Sequence, residues 1–434
     1  MTLTSQSVMP ASLWAATACP APEYHPVLPE RTTDVAVIGA GYTGLSTALH
    51  LARRGVEVTV IEASEPGWGA SGRNGGQIIA GLKFEPDGLE EQFGERLGKA
   101  MVETMGAGST LVRSLIDQYG IDCHARFDGW IQAAHGQRAM TETVMPRAAQ
   151  WKRRGVAIEV LDRNRIAKLI GCPEELYVGG WLDPRGGELQ PLSYARGLAA
   201  AAIKEGVKIH AFTPARNLRR EGARWAMELG NGKLFANKVV LATNAYTDDL
   251  WRGLRQTVVP VTSFQIATYP LREAVRKSIL PGGQGATDTR RLLHYFRLDH
   301  EGRLVMGGRS PVDDNPSMIH ASALIRTQAK TFPQAAGSPI QFLWSGKVAL
   351  TKDSLPHIHI LEPGLYAALG CNGRGVAACT TIGKVMSEFV GGALPDEIAL
   401  PVTAPDRFVM HAFRKVGVLI ASQYYRMLDR LEAR

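Results

Sequence analysis

The chain opens its folded part with an apolar run that stops at glycines. DVAVIGAG, residues 34–41, reads as a short strand buried on both faces, and YTGLSTALHLARRG follows with Leu45, Leu49 and Ala52 on one helical face. Gly55 ends that helix, and VEVTVIEA supplies the next strand. Strand, helix and strand in this order predict a βαβ unit at the start of a parallel sheet.

The same rhythm returns further along. A helix is expected over about 192–204, then Gly206 and a strand; Val239–Ala242 forms another buried strand with a turn behind it; and GLYAALGCNGRGVAACTTIGKVMSEFV repeats strand, glycine-rich turn and helix. Residues 255–310 alternate apolar and polar positions instead, with a hairpin around Asp299–Gly302, as an antiparallel sheet requires. The fold class expected is α/β plus α+β: a Rossmann-like nucleotide-binding domain interleaved with an antiparallel β-sheet substrate domain. The boundaries expected are an arm at 1–30, the nucleotide-binding domain at 31–80, 155–250 and 335–400, the substrate domain at 81–154 and 251–334, and a C-terminal helix at 401–434. That last helix is basic and amphipathic, and packing on its own protein is expected rather than stable membrane insertion.

Composition narrows the classes. A chain of 434 residues, 45% hydrophobic and 21% charged, can bury a large core. Its formal charge of +8 is scattered rather than blocked, which suits anionic small molecules and gives no nucleic-acid stripe. The five cysteines have neither Cys-x-x-Cys spacing nor a histidine cluster, so no metal site or disulfide framework is expected. The first 30 residues lack a basic start and a long apolar core, and no apolar run reaches 18 residues, so a cytoplasmic location is expected.

GAGYTG carries the first chemistry. Gly39 permits the tight turn, Gly41 admits a pyrophosphate and Gly44 lets helix and strand pack closely, while the helix N-terminus faces the phosphate charge. Glu62 ends the second strand, 18 residues beyond Gly44, where a carboxylate accepts both ribose hydroxyls and repels the 2′-phosphate of NADP. GWGASGRNGGQI follows directly. Its glycines allow close backbone approach, and Ser71, Arg73, Asn74 and Gln77 supply hydrogen-bonding groups; a flexible surface loop is the alternative. Recurrent glycine-marked turns far along the chain favour a long ligand, FAD, over NAD.

These segments, with VVLATNAY, GRLVMGGR, WSGKVALTKDSLPHI and LGCNGRGVAACTTIGKVMSE, resemble the D-amino-acid-oxidase-like (DAO) superfamily of FAD-dependent oxidoreductases, in the branch of gamma-glutamylputrescine oxidases. The likeness runs from about residue 12 to the C-terminal helix. It implies extended FAD, with Gly39, Gly41, Tyr42, Thr43, Gly44, Glu62, Ala63 and Ser64 on its ADP half. It implies Ser71, Arg73, Asn74, Gly75, Gly76 and Gln77 along the pyrophosphate, ribityl and flavin end. Ala215 is implied at the adenine; Ala242, Thr243 and Asn244 form the turn beneath the cofactor, with Asn244 in place of the family's glycine. Gly370, Gly373, Arg374, Gly375 and Val376 form the turn over the pyrimidine side of the flavin, where a helix N-terminus meets the negative charge of the reduced ring.

Two departures bear on mechanism. Sarcosine oxidases of this superfamily attach flavin to a cysteine ahead of a Thr-x-Asp segment; SGKVALTKD has none, so noncovalent FAD is expected. Their oxygen-activating lysine is matched here by Val305, which leaves O₂ or another electron acceptor open. Arg374 stands where the branch has histidine, and is expected to hold a substrate carboxylate, or flavin or protein carbonyls. Tyr295, Trp344, Lys347 and Arg73, with Phe296 and His357 behind them, complete the substrate candidates.

The activity implied is FAD-dependent oxidation of a C–N bond by hydride transfer to flavin N5, giving an imine. The substrate is expected to be a small amine or amino acid: a gamma-glutamylputrescine-type amine, or an imino acid such as pipecolate, proline or sarcosine. A pyridine-nucleotide dehydrogenase and a noncatalytic FAD-binding subunit are the alternatives.

Overall fold

The computed structural model describes residues 9–26, 29–230, 232–309 and 318–432, without the side chain of residue 318. Nine strands form the first sheet. The strand Glu30–Ile38 is its centre, parallel to Val58–Ile61 on one side and to Gly232–Leu241 on the other. Lys208–His210 and Leu365–Leu369 extend the parallel array, and the strands Ala215–Glu221 and Arg224–Leu229 fold back antiparallel onto Gly232–Leu241. Burial on both faces explains the apolar runs of the central strands at Val35–Ile38, Val58–Ile61 and Val239–Leu241.

Three helices close one face. The fingerprint helix Tyr42–Ala52 packs against the helices Pro191–Lys204 and Gly375–Val390. The crossing with Gly375–Val390 depends on Gly383: a Cβ there would stand 2.5 Å from the Thr43 carbonyl oxygen. The middle of that helix is thereby held against the first turns of the fingerprint helix by a contact only glycine permits.

The second sheet has eight strands, from Ile340–Leu350 through Val259–Thr268, Leu304–Arg309, His294–Leu298, Gly285–Asp288, Trp130–Ala134 and Gly179–Asp183 to Glu159–Asp162. Its pairs are antiparallel except Gly285–Asp288 with Trp130–Ala134. The expected hairpin is present, and the Gly302 amide donates to the Asp299 carbonyl at 3.1 Å.

The interleaving differs in detail from the sequence expectation. Residues 155–183 and 335–350 contribute strands to the eight-stranded sheet rather than to the parallel one. Helices Pro86–Gly106 and Gly108–Tyr119, expected with the substrate domain, bury Met101, Met105, Val112 and Leu115 in the core that holds Val35 and Leu45. Short apolar runs fit either sheet, so partner choice is decided by tertiary packing that periodicity does not encode.

Both ends also depart. In the expected N-terminal arm, Leu13 and Trp14 are fully buried against Leu192, Val305 and Trp344, so the arm backs the site; residues 1–8 and 27–28 lie outside the described residues. At the other end Val402–Thr403 is an edge strand of the first sheet, and the helix proper is Arg414–Glu432. That helix does not bury its apolar side: Ile420 and Leu431 are exposed, and docking rests on Asp429 and Glu432 against Arg291. Among the described residues no helix is long and apolar enough to cross a membrane.

Candidate cofactor and substrate site

The fingerprint turn is built by close backbone approach. Gly39 has φ +104°, and a Cβ on Gly44 would stand 1.9 Å from the Gly39 carbonyl oxygen. The helix cap is Gly41, which offers no side-chain acceptor, so first-turn N–H groups remain for an anion. Ser71 reaches across this end, its Oγ accepting the Tyr42 amide at 3.0 Å.

Glu62 closes the turn from the neighbouring strand. One carboxylate oxygen accepts the Ala40 amide at 2.8 Å and the other the Ser64 amide at 2.9 Å. Burial pushes its carboxyl up, and the Ala40, Ser64 and Ala63 amides oppose that. Backbone from the next crossover completes this wall, with the Thr213 amide donating to the Glu62 carbonyl at 2.7 Å and that of Phe212 to Ser64. Ala215, expected at the adenine, begins the antiparallel strand just beyond. Thr213 is the addition, and its role is carried by backbone alone, which leaves no signal in residue type.

The segment 69–78 is pinned at nearly every residue. Asn74 Nδ2 donates to the carbonyls of Ser71 and Ala70 and to the Tyr42 hydroxyl, and its Oδ1 accepts the Gly76 amide at 2.8 Å. A Cβ on Gly75 would stand 2.6 Å from the Tyr295 ring, and one on Gly76 would overlap Arg297. Gln77 Nε2 donates to the Ala286 carbonyl of the second sheet at 2.9 Å. The glycines let this loop lie flush against the antiparallel sheet, so it is fixed between the two halves of the fold.

Arg73 stacks over Trp68 with its guanidinium carbon 4.1 Å from the ring centroid, and Nε donates to the Trp68 carbonyl at 2.7 Å. Its buried Nη2 has no hydrogen-bond partner among the described residues. A buried, unpartnered guanidinium nitrogen beside glycines and an open helix end fits the phosphate-bearing or ring end of a dinucleotide.

The far turns meet this loop. Asn244 adopts φ +45°, which asparagine tolerates better than most residues, and its side chain spans to the turn at Gly370–Gly373. Its Oδ1 accepts the Gly370 amide at 3.0 Å and its Nδ2 donates to Cys371 Sγ at 3.3 Å. Beyond Gly373, at φ +92°, the helix Gly375–Val390 begins. Its cap, Arg374, turns away to donate to the carbonyls of Ala80 at 3.0 Å and Gly81 at 3.3 Å.

A cavity of about 350 Å³ opens between the cofactor loop, this turn and the second sheet. Arg73, Tyr295, Lys347 and Arg374 line it, as do Lys83, Arg147 and Arg309. Tyr295 shares a 2.9 Å hydrogen bond with Ser263, and burial raises its phenol far above the usual range. Arg374 is held down to about 9, chiefly by burial and then by Arg147.

Three candidates leave the substrate set. Trp344 is 1% exposed, packs edge-on against Trp14 and donates from Nε1 to the Arg73 carbonyl at 3.1 Å, so it buttresses the loop from behind. Phe296 is fully buried against Phe332, and His357 is held between Asp353 and Thr403. Val305 lies in the small core with Trp14 and Trp344. Sequence does not single out Lys83, which stands outside the glycine motifs, or Arg309, which closes GRLVMGGR as an ordinary strand-end residue.

The family model for FAD-dependent oxidoreductases, DAO, matches residues 34–389. The chain belongs to the DAO family of FAD-dependent oxidoreductases. A probable oxidoreductase OrdL of Haemophilus influenzae is 31% identical over 94% of this chain and 94% of its own. The gamma-glutamylputrescine oxidoreductase of Escherichia coli is 32% identical over 83% of this chain and 84% of its own. Among solved structures, glycine oxidase of Geobacillus kaustophilus shares the fold at a TM-score of 0.73 and 20% identity, over 87% of this chain and 99% of its own. This DAO-family protein is therefore an FAD-dependent oxidoreductase.

Proposed function

We propose that the protein oxidises the C–N bond of a carboxylated primary or secondary amine, with FAD held noncovalently. The observation that carries this reading is the cavity between the flavin-end turn and the antiparallel sheet, whose cations Lys83, Arg309 and Arg374 make no ion pair with a carboxylate among the described residues. Such a wall attracts an anion and opposes an ammonium, so it favours the neutral amine. When bound, FAD supplies the acceptor for the hydride leaving the carbon next to nitrogen.

The chain's own groups orient and exclude water. Tyr295 and Ser263 offer hydroxyls on one wall, and the helix at Gly375 presents N–H dipoles where a Cβ would meet nothing within 4 Å. Loss of hydride and a proton turns the amine into an imine, which water hydrolyses unless it is cyclic. With O₂ as final acceptor the second product is H₂O₂.

Amino and imino acids are the first substrate class. A gamma-glutamylated diamine is the second, favoured by the Escherichia coli relative, and its glutamyl carboxylate presents the same anionic group. Anaerobic mixing of the FAD-loaded protein with a panel of amines tests the reading: at least one bleaches the flavin and yields one imine or carbonyl per flavin. A protein that no amine bleaches is a binding subunit, and the reading fails.

A further inference from the structure

The C-terminal helix Arg414–Glu432 is inverted relative to a helix that packs its apolar side on its own protein. Phe413, Val416, Ile420, Tyr424, Met427 and Leu431 recur at intervals of three or four residues and so share one face, and each is between 50% and 66% exposed. The polar face points inward instead. Ser422 and Asp429 are buried, the Asp429 carboxylate accepts the backbone amides of Arg291 and Leu292, and Glu432 takes the Arg291 guanidinium at 2.7 Å. Both acids of the helix are thus used in docking it, while Lys415, Arg426 and Arg430 are exposed along one edge of the apolar stripe. A continuous apolar surface of this kind marks an interaction site.

We propose that this face docks on an anionic lipid bilayer, with the helix lying in the plane of the membrane surface. The apolar side chains enter the boundary between headgroups and acyl chains, and the adjacent cations meet the lipid phosphates. Tyr424, with an apolar ring and a polar tip, suits that depth. The formal charge of +8 draws the whole chain toward the same surface. A second copy of the chain fits less well: a two-fold pairing through this stripe brings the same three cations of each copy to one interface, with no exposed acid on the helix to answer them. Docking also has a consequence for the cavity. Arg291, held by the inner face of the helix, lines it, so about one helix diameter, roughly 10 Å, separates the cavity edge from lipid. None of this depends on the proposed amine chemistry.

The FAD-loaded full chain is sedimented with vesicles of phosphatidylcholine and with vesicles of equal parts phosphatidylcholine and phosphatidylglycerol. The protein is expected to pellet with the anionic vesicles and to stay in solution with the neutral ones, and raising the salt from about 0.1 M to about 0.5 M releases it. Ile420→Glu combined with Met427→Glu, and separately Arg426→Gln combined with Arg430→Gln, each weakens the partitioning about tenfold or more. Both variants keep the melting temperature and FAD content of the parent, since all four side chains face outward. A parent that ignores both vesicle types overturns the proposal, and so does one that binds both equally. If the parent stays off the vesicles and forms a dimer that the paired Glu substitutions dissociate, the stripe is a contact between copies. A lower melting temperature in the paired Glu variant assigns the stripe to the fold itself and likewise overturns the proposal.

Discussion

The Asn244 side-chain carbonyl accepts the Gly370 amide at 3.0 Å, joining two turns that lie 126 residues apart in sequence. The same side chain donates to Cys371, so a residue in left-handed conformation couples the end of one parallel strand to the end of its neighbour. Where a glycine would only permit the backbone, asparagine also makes the bridge. Asn244→Gly keeps the conformation and loses both bonds, and is expected to cost about 1–3 kcal/mol. Asn244→Leu adds backbone strain and costs more. Denaturant melts of the three proteins check the order.

Gly44 has no room for any side chain. Gly44→Ala places a methyl 1.9 Å from the Gly39 carbonyl oxygen and forces helix and strand apart. FAD retention after desalting is expected to fall below that of the parent, with a lower melting temperature.

Glu62 is braced by the amides of Ala40 and Ser64. Glu62→Gln keeps one acceptor oxygen and turns the other into a donor facing a donor, so FAD affinity is expected to drop about tenfold or more. Equilibrium titration of the apoprotein with FAD measures it.

Much of this was legible in the sequence. Gly39, Gly41 and Gly44 announce themselves because a tight turn and a close approach between helix and strand demand glycine, and Glu62 stands where the strand end closes that turn. The loop around Asn74 was legible as a glycine-rich segment of close backbone approach, but not its rigidity, which comes from Tyr295, Arg297 and Gln77 contacts across the fold. Lys83 and the end of GRLVMGGR, Arg309, were in view, but their meeting at Gly373 was not, since residues 226 positions apart carry no spacing signal. Trp344 misled for the opposite reason: an aromatic near a predicted pocket has the composition of a pocket wall, yet its ring sits behind the loop.

Trp344→Phe tests that assignment. It removes the 3.1 Å hydrogen bond to Arg73 and some packing on Trp14, so melting temperature falls while the affinity for acetate, a carboxylate that cannot be oxidised at a C–N bond, stays at the parent value. A selective loss of acetate affinity with unchanged melting returns Trp344 to the substrate wall.

The anion affinity depends on pH through Lys83. Burial first, then Arg309 and Arg374, push its ammonium down to about 7, with Arg147 adding to this and Cys371 opposing it. The folded protein therefore sheds this proton earlier than the unfolded chain, and the unfolded chain binds more protons between about pH 7 and the ordinary lysine range. Lys83 costs stability in full below that window, and the cost is relieved as pH rises through it. Acetate needs the charged form, so its affinity holds below about pH 7 and falls above it, while Lys83→Met flattens this profile. Calorimetric titrations across that range check the sign.

The most direct measurement is anaerobic stopped-flow reduction of the FAD-loaded protein by matched pairs, each an amino or imino acid and the amine that lacks its carboxylate. The account predicts that the carboxylated member of at least one pair bleaches the flavin faster, saturates at lower concentration and loses that advantage in Arg309→Met. Equal or faster reduction by the decarboxylated amine in every pair would contradict it.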